Sequence, residues 1–550
     1  QSFAICAIGG VLGVMYSVPL RRALVTGSDL PYPEGVAAAE VLRVGSASRS
    51  GAERNEGGLL ALLIGTLVSA AFAAIVATRV FAGALAAYFR IGAATTGAAF
   101  SLSLALVGAG QLIGLTVGMA IFAGLFIAWG IATPILTALH PATGAASDVA
   151  VAVWSHQVRF IGAGAIGVAA VWSFGRLIRP VALGVASALA ASRRRRESAL
   201  ALPRTERDLP IGIVALVSLA CLIPLALLFW SFLHGGALAP LAGAMTIAAV
   251  LYVVVAGFFV AAACGYMAGL IGSSNSPVSG LAILSVLGAA LIVLGIGSSV
   301  VHVAALPMIA YALLVTAVLL CVATISNDNL QDLKTGQLVD ATPWRQQVAL
   351  VAGVAVGALV IPPILDLLNR AYGFSGARGL PAPQATLISA LAKGVIGGQL
   401  DWHLIGIGAV TGAIVVAIDE MLRKRKLALP PLAVGLGIYL PIATTAPVVL
   451  GAILGWAYNR WALRRPDAER AKQLGVLVAS GLIVGESLFG VLLAGLIVFS
   501  GNASPMGLVG DSFATAANAI GAVAFVLVLA ALFGALRGIS RGSAGNLARQ

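Results

Sequence analysis

Residues 210–233 read PIGIVALVSLACLIPLALLFWSFL, a run without a single charged side chain. A helix of about 20 consecutive apolar residues crosses the hydrocarbon core of a bilayer. Similar apolar segments recur along the chain, at 3–20, 57–80, 84–108, 110–138, 149–175, 238–271, 278–298, 301–325, 346–368, 402–422, 474–499 and 514–536. The sequence therefore predicts an all-α polytopic membrane protein with about 13–14 transmembrane helices plus re-entrant segments.

The composition supports the same prediction. Of the 550 residues, 60% are hydrophobic and only 10% are charged, which is too little charge for the surface of a soluble protein. The 66 glycines suit close helix packing in lipid. The net charge of +13 does not indicate nucleic-acid binding, because the basic residues lie in short runs between apolar segments, as in cytoplasmic loops. The four cysteines lie inside apolar runs without the spacing of a zinc site.

The positive-inside rule predicts the topology. The basic loop 176–208, with four consecutive arginines at 193–196, is expected inside, and the loops near 139–148, 234–240 and 501–513, which lack Lys and Arg, are expected outside. This requires that segment 384–398 be re-entrant. It also requires that stretch 430–460, which contains four prolines, begin and end inside as a hairpin or broken helix. The C-terminus is then cytoplasmic.

A weak direct repeat relates the two ends of the chain. Gly9, Gly13, Leu30 and Pro31 match Gly408, Gly412, Leu429 and Pro430 at one offset, and Gly110, Gly114 and Gly124-Leu125 match Gly481, Gly485 and Gly495-Leu496 at another. The change of offset predicts an insertion between Pro31 and Gly110. We therefore expect two related halves, residues 1–208 and 384–550, separated by middle helices at 209–383 with a cytoplasmic loop at 326–345. Internal repeats of this size are typical of secondary transporters.

Other classes of membrane protein fit the sequence less well. An ATP-driven pump needs a phosphate-binding loop such as G-x-x-x-x-G-K-[ST], but the chain contains no Gly-Lys dipeptide. A membrane protease is not indicated, because the five histidines are scattered and the single G-x-S-x-G motif, at 538–542, lies in the basic C-terminal tail. We therefore expect no enzyme activity, no cofactor and no fixed metal site. A channel stays open as an alternative.

Three stretches resemble the oligopeptide transporter (OPT) superfamily. The first comprises SVPLRR at 17–22, LPYPEG at 30–35 and AAAEVL at 37–42; the second is GYMAGLIGSSNSPVSG at 265–280; the third is NDNLQDLKTG at 327–336. Residues 158–164 and the pair Asp401-Trp402 add to the resemblance. The third stretch is similar to the bacterial members and to the plant yellow stripe-like branch.

The resemblance implies a bacterial inner-membrane importer of small peptides, driven by protons, with metal–chelate transport as the alternative. It also implies about sixteen spans for a whole family member, so we expect that the first two lie before Gln1. The expected partners are the substrate, protons and the lipid bilayer, and a homodimer is a candidate assembly.

Charged side chains inside apolar segments are candidates for the transport path. Glu486 lies midway along segment 474–499 and is expected to bind the proton or a cationic substrate group, or else to pair with a buried arginine. Arg159 follows His156 and Gln157 and is expected either to bind a substrate carboxylate or to extend towards the outer interface.

Two further groups complete the predicted site. The Ser/Asn-rich stretch 273–276, which ends at Pro277, is typical either of a discontinuous helix that binds substrate or of an ordinary turn. Lys393 is expected to neutralise an anionic substrate or to pair with Asp401. The path candidates of this kind are Tyr266, Ser273, Asn275, Ser276, Lys393 and Asp401. The positive-inside rule also places the basic loop 21–54 inside. Charged residues in this loop and in loop 326–345 are gate candidates, namely Glu34, Glu40, Asp328, Asp332 and Lys334.

Overall fold

The structure of the chain is a computed structural model. It describes residues 1–28, 30, 32, 34–36, 38–39, 42, 56–169, 171–172, 175–176, 203–271, 273, 278–298, 305–374, 380, 383–397 and 401–547. Almost every element in these residues is a helix, which confirms the predicted all-α fold class. The helices, in chain order, are α1 Ser2–Arg21, α2 Glu56–Ala77, α3 Leu104–Leu125, α4 Thr133–Leu139, α5 Ala146–Val153, α6 Ile211–His234, α7 Ala242–Ile271, α8 Val278–Gly297, α9 Ala305–Leu338, α10 Pro343–Ala371, α11 Pro383–Gly397, α12 Trp402–Arg423, α13 Pro431–Tyr439, α14 Ile442–Ala462, α15 Ala468–Ser500 and α16 Ala514–Leu547.

Three π-helical segments extend these helices; one, Arg22–Thr26, continues α1, and the other two follow α3 and α5. Of these two, Phe126–Ala132 joins α3 to α4, so that Leu104–Leu139 forms one apolar stretch. The other, Trp154–Val158, prolongs α5 to Ala169. We refer to residues Ala146–Ala169 as the α5 span. Such π-helical segments occur often at functional sites.

Twelve helical stretches among the described residues are long and apolar enough to cross a bilayer. Two shorter apolar helices, Leu281–Gly297 and Ile388–Gly397, add to them. The second of these lies within the segment predicted as re-entrant, and α11 is too short at 15 residues to cross the hydrocarbon core. Its path in the membrane stays a prediction.

The described chain forms two compact units. Unit 1 comprises residues 1–52, 170–365 and 382–400, and unit 2 comprises residues 53–169, 366–381 and 401–550. The core of unit 1 is a large apolar cluster with contributions from α1, α6, α7, α8, α9 and α11. Unit 2 combines α2 to α5 of the first predicted half with α12 to α16 of the second.

The predicted apolar segment 84–108 is wrong as a helix. A β-hairpin forms there instead, with β1 (Ala84–Ile91) antiparallel to β2 (Ala94–Ser101). Ile91 pairs with Ala94, so Gly92 and Ala93 form a two-residue turn, and Gly92 has a φ of 62° that glycine adopts without strain. The hairpin lies in the interval where the repeat predicts an insertion.

The predicted span 110–138 is interrupted rather than straight. Gly114, with φ 79° and ψ 170°, lies outside the helical region and breaks α3. Gly110 and Gly118 both contact Ala452 of α14, whereas eight residues of a straight helix would separate them by about 12 Å. The chain therefore folds back at Gly114.

The prediction of a break in stretch 430–460 is confirmed. Leu440 has the extended conformation (φ −79°, ψ 150°) that the residue before a proline prefers, and Pro441 separates α13 from α14. Gly437 at the end of α13 packs against Ile121 of α3, and Gly451 of α14 packs against Val107. The two interrupted helices thus pack along each other.

Two close parallel helix pairs flank these interrupted helices in unit 2. Gly481 and Gly485 of α15 contact Leu62 and Thr66 of α2, so the two helices advance in the same direction. A Cβ at either glycine would overlap a backbone carbonyl of α2.

The second parallel pair joins α12 to the α5 span. Gly408 and Gly412 of α12 meet Ile161 and Ala165 of the α5 span in the same way. Thus α2, which precedes the interrupted helix α3, pairs with α15, which follows α14. In the same way α12, which precedes α13, pairs with the α5 span, which follows α3 and α4.

The glycines of the predicted repeat have related environments at one offset. Gly9 and Gly13 of α1 pack against α9, at Cys321 and Ile325, just as Gly408 and Gly412 pack against the α5 span. At the second offset the likeness is partial, because Gly110 and Gly481 both make close backbone contacts whereas Gly114 is a break and Gly485 is not. Duplication stays a prediction.

Candidate functional site

Arg159 lies in unit 2, beside the break between α13 and α14. Its guanidinium carbon is 4.6 Å from the centroid of the Tyr439 ring and 5.2 Å from that of Trp154. Its Nη2 donates a hydrogen bond to the Tyr439 hydroxyl at 3.0 Å. Gly162, one turn further along the α5 span, lets the backbone of Tyr439 approach closely. The structure thus brings together Arg159 and the proline break, which the sequence proposed separately.

The charge of Arg159 has no carboxylate partner among the described residues, and its buried Nε has no hydrogen-bond acceptor. The aromatic rings of Trp154 and Tyr439 contact the guanidinium instead. Cation–π contacts of this kind contribute about 0.5–2 kcal/mol, and more where the cation is desolvated. The site is therefore electropositive and retains an unused donor.

An aromatic row continues from Arg159 through unit 2. Trp154 stacks on Trp129 at 5.9 Å between ring centroids, and Tyr88 of the β-hairpin lies 6.2 Å from Trp129. The buried Nε1 of Trp129 and the buried Oγ1 of Thr133 have no hydrogen-bond partner. Partial burial raises the pKa of Tyr88 above its usual value. Two of the three π-helical segments contribute to this row, through Trp129 and Trp154.

Glu486 belongs to α15, and its carboxylate lies against the N-terminus of α3 in unit 2. Its carboxylate accepts hydrogen bonds from Ser103 Oγ at 2.7 Å and from the Ala105 amide at 2.9 Å. Ser103 in turn caps the helix by accepting from the Leu106 amide at 3.1 Å. Helix N-termini attract negative charge. The partner of Glu486 is therefore a helix end rather than the buried arginine considered from the sequence.

The three stretches that resemble the OPT superfamily meet in unit 1. Glu34, from the first, accepts hydrogen bonds from the backbone amide of Ser273 at 2.9 Å and from the Ser273 hydroxyl. Asn327, from the third, donates to the Ser273 carbonyl at 3.3 Å and to Asp328 at 3.3 Å. The buried Oδ1 of Asn327 has no partner.

Buried amide contacts hold the same stretches together. Gln331 accepts from the Gly35 amide at 2.8 Å and donates to the Ala268 carbonyl at 2.6 Å. Thr335 donates to the Gly35 carbonyl at 2.9 Å. The side chains of stretch 327–336 therefore hold the first two stretches in place, which a simple connecting loop would not do.

Two acidic gate candidates lie on the exposed face of α9, because residues 326–338 of the predicted loop 326–345 continue that helix. Asp328 and Asp332 are both exposed and lie one helical turn apart, and Lys334 donates to Gln337 at 3.0 Å with its Nζ 6.0 Å from the Tyr32 ring centroid. Tyr266 packs partly buried against the core of unit 1. The first and third stretches thus bring Glu34, Asp328 and Lys334 to one region of unit 1.

Lys393 and Asp401 belong to different units. Lys393 is exposed on α11 in unit 1, whereas Asp401 belongs to unit 2 and caps α12 by accepting from the Leu404 amide at 3.1 Å. Their pairing stays a prediction. Glu40, Asn275 and Ser276 lie outside the described residues.

One buried polar residue was missed by the sequence reasoning. Asp208, with 4% of its side chain exposed, accepts from Arg21 at 3.0 Å, Arg22 at 2.9 Å and Gln347 at 2.9 Å. Arg21 also donates to the Thr205 carbonyl at 3.2 Å. The sequence did contain a signal for this ion pair. Asp208 directly precedes the apolar segment 210–233, and the basic residues Arg21 and Arg22 lie at the end of α1. These contacts join α1, α10 and residues 204–209 within unit 1.

Metal binding has no dedicated group of ligands in the part of the chain that the structure describes. No three His, Cys, Asp or Glu side chains there lie close enough to share a metal ion.

Many apolar helices, two of them interrupted within unit 2, and charged side chains inside them are features of a membrane transporter. The family model described as "OPT oligopeptide transporter protein" matches residues 1–497. A Haemophilus influenzae protein named "Putative oligopeptide transporter" is 40% identical over 96% of this chain and 86% of its own length. The chain therefore belongs to the OPT oligopeptide transporter family, whose members are transporters and not enzymes.

More distant similarity leads to plant proteins. A rice protein named "Probable metal-nicotianamine transporter YSL10" is 31% identical over 31% of this chain and 26% of its own length. An Arabidopsis thaliana protein named "Probable metal-nicotianamine transporter YSL5" is 28% identical over the same share of this chain. The expected resemblance to the yellow stripe-like branch is thereby confirmed for part of the sequence.

Proposed function

We propose that this protein is a secondary active transporter that imports small oligopeptides across the bacterial inner membrane and couples this import to protons. The observation that carries the proposal is the similarity over nearly the whole chain to the Haemophilus influenzae protein named as an oligopeptide transporter. Alternating access around a site near the bilayer midplane is the mechanism expected for such a transporter.

The interrupted helices of unit 2 support this mechanism. Irregular backbone at membrane depth persists where it packs against protein or lines a cavity. The breaks at Gly114 and at Leu440-Pro441 expose backbone groups that regular helices would satisfy internally. Ions and polar substrates bind at breaks of this kind.

A metal–chelate substrate is the second candidate. It is favoured by the similarity to the plant proteins named for metal–nicotianamine transport, which covers about a third of this chain. Peptides and such chelates share amino and carboxylate groups, so one polar path could serve either. The two candidates differ in what must be supplied for transport.

The test is proton influx into proteoliposomes that contain a pH-sensitive dye. A pool of tri- to pentapeptides is added outside, with a metal–nicotianamine complex as a second arm and empty liposomes as the control. Peptide-dependent acidification of the lumen is expected. Acidification with the chelate but not with peptides would identify the chelate, rather than a peptide, as the substrate. Uptake without any proton movement would contradict proton coupling. No uptake of either substrate by folded, inserted protein would contradict the proposed function.

A further inference from the structure

Unit 2 holds a cation, Arg159, that forms no ion pair with any of the described residues. Arg159 is the fourteenth residue of the α5 span, Ala146–Ala169, and lies near the middle of that apolar helix. Charges at such a position are stabilised by a partner or serve a function. Arg159 contacts two aromatic rings and a hydroxyl, while its Nε is buried without an acceptor.

The length of the neighbouring helix α13 predicts that Arg159 lies deep in the bilayer rather than at its surface. The helix α13 has 9 residues, which correspond to about 14 Å, or half the hydrocarbon thickness. It follows the basic run 423–426 and ends at Tyr439, which Arg159 contacts. From a position near the midplane we expect the side chain to stay at the break rather than to extend to the outer interface, the alternative that the sequence left open.

The backbone adds to the positive potential at this point. The helix α14 begins at Ile442, three residues after Tyr439, and Ile442 packs in the same apolar cluster as Trp154 and Val158. The first amides of a helix have no acceptor within it, and the N-terminal end attracts anions. Arginine additionally presents a planar fork that matches a carboxylate.

We propose that Arg159, held between Trp154 and Tyr439, binds a carboxylate of the transported substrate. The inference rests on the proposed function, which it deepens by naming the group that is recognised. The carboxylate is either the C-terminus of a peptide or a carboxylate of an aminopolycarboxylate metal chelate. On binding, it accepts a hydrogen bond from the Arg159 guanidinium and neutralises a charge that no described carboxylate compensates.

The test compares ligands with and without the carboxylate. Purified protein in detergent is titrated with trialanine, with trialanine C-terminal amide and with nickel–nicotianamine, and apparent Kd values are taken from the ligand-dependent shift in Tm. We expect the wild type to bind trialanine, nickel–nicotianamine or both about 10- to 100-fold more tightly than the amide. Arg159→Gln should bind trialanine and its amide equally, and Arg159→Lys should fall between.

Arg460→Gln is the matched control. Arg460 also lies over a tryptophan ring, 5.5 Å from the Trp456 centroid, but both residues are exposed. This variant should keep the wild-type preference for the carboxylate. The same preference in Arg159→Gln, or its absence from the wild type, would overturn the assignment of Arg159.

Uptake into proteoliposomes separates this inference from the proposed function. Unchanged trialanine uptake by Arg159→Gln would contradict the carboxylate site and leave the proposed function intact. No uptake by the wild type, together with a carboxylate-dependent Tm shift that Arg159→Gln abolishes, would contradict the proposed function and retain the site. A wild-type Tm that none of the three ligands shifts overturns the inference.

Discussion

Glu486 and Arg159 are both charged residues inside apolar segments of unit 2, but their surroundings differ. Glu486 has two hydrogen-bond donors at the N-terminus of α3, whereas Arg159 has aromatic faces and an unused Nε. A capping carboxylate can be explained by structure alone. For Glu486 the experiment must therefore separate proton coupling from helix capping.

Replacement of Glu486 by Gln provides that separation. Gln keeps one acceptor, its Oε1, for the Ala105 amide, and its Nε2 can donate to the Ser103 hydroxyl, so folding should persist, but Gln cannot bind and release a proton. If Glu486 couples transport to protons, gradient-driven uptake should fall at least 10-fold while substrate exchange at equal pH continues. Both activities are measured in proteoliposomes.

The control for this experiment is Glu469→Gln on the same helix. Glu469 is exposed and pairs with Lys472 at 2.8 Å. Its replacement should leave uptake and exchange unchanged. Wild-type uptake in Glu486→Gln would assign that carboxylate to capping only.

The buried Asp208 cluster makes a stability prediction. Asp208→Asn leaves Arg21, which is 2% exposed, without its counter-charge. Loss of one partner from a buried ion pair costs about 3–5 kcal/mol. We expect a markedly lower Tm for Asp208→Asn in detergent.

An exposed pair of the same residue types serves as the comparison. Asp366 and Arg370 lie 2.8 Å apart on α10, with 57% and 67% of their side chains exposed. Asp366→Asn should change stability by less than about 0.5 kcal/mol. Equal Tm values for the two Asn variants would show that the Asp208 cluster contributes little to stability.

At the scale of single elements, most helices followed from the sequence because uninterrupted apolar runs have few alternatives in lipid. The failure at 84–108 has a local reason. Arg90, Gly92 and the β-branched pair Thr95-Thr96 interrupt the run, and hydropathy alone does not weigh a two-residue turn. Prolines indicated the break at Leu440-Pro441, whereas the break at Gly114 depends on one glycine conformation among 66 glycines.

The candidate site was predictable only in part for a similar reason. Glu486 and Arg159 were recognised as charges inside apolar segments, but their partners are distant in sequence. Ser103 lies in the misassigned segment, and Tyr439 carries no charge that would single it out. Asp208 was missed because it lies just outside an apolar segment. The family resemblance identified the network of Glu34, Ser273 and Asn327 but not its hydrogen bonds.

The parallel pairing of α2 with α15 makes a packing prediction. A Cβ at Gly485 would overlap the Thr66 carbonyl, so Gly485→Ala should force these helices apart and lower the Tm by several degrees. Gly495 lies further along α15 with open space around it. Gly495→Ala should be neutral or stabilising by up to about 1 kcal/mol, because alanine favours helix more than glycine does. Similar losses in both variants would contradict the close pairing.

At the scale of the whole molecule, the predicted topology agrees with the packing directions in unit 2. Parallel pairs must cross the membrane in the same direction, and the positive-inside rule gives α2 and α15 one direction and the α5 span and α12 the other. The loss of the predicted crossing at 84–108 leaves the sidedness of the later helices unchanged, because stretch 110–138 folds back at Gly114 and returns to the same side, so that two predicted crossings are lost together.

Cysteine labelling tests this topology. In a variant without the four native cysteines, single cysteines replace Thr143, Asn502 or Lys424, which are exposed loop or helix-end residues. A membrane-impermeant maleimide added to intact cells should label positions 143 and 502 but not 424, while opened membranes should label all three. Labelling at 424 from outside would mean that residues 383–397 cross the membrane completely.

The pairing of α2 with α15 also has a consequence for the order of events during biosynthesis. The two helices that meet at Gly65 and Gly481 leave the ribosome about 400 residues apart, which at about 5–20 residues per second is a delay of roughly 20–80 seconds. During that time the small-residue face of α2 lies in lipid without its permanent neighbour. The nascent chain must therefore shelter this face, on the translocation machinery or on an early helix, until translation is nearly complete.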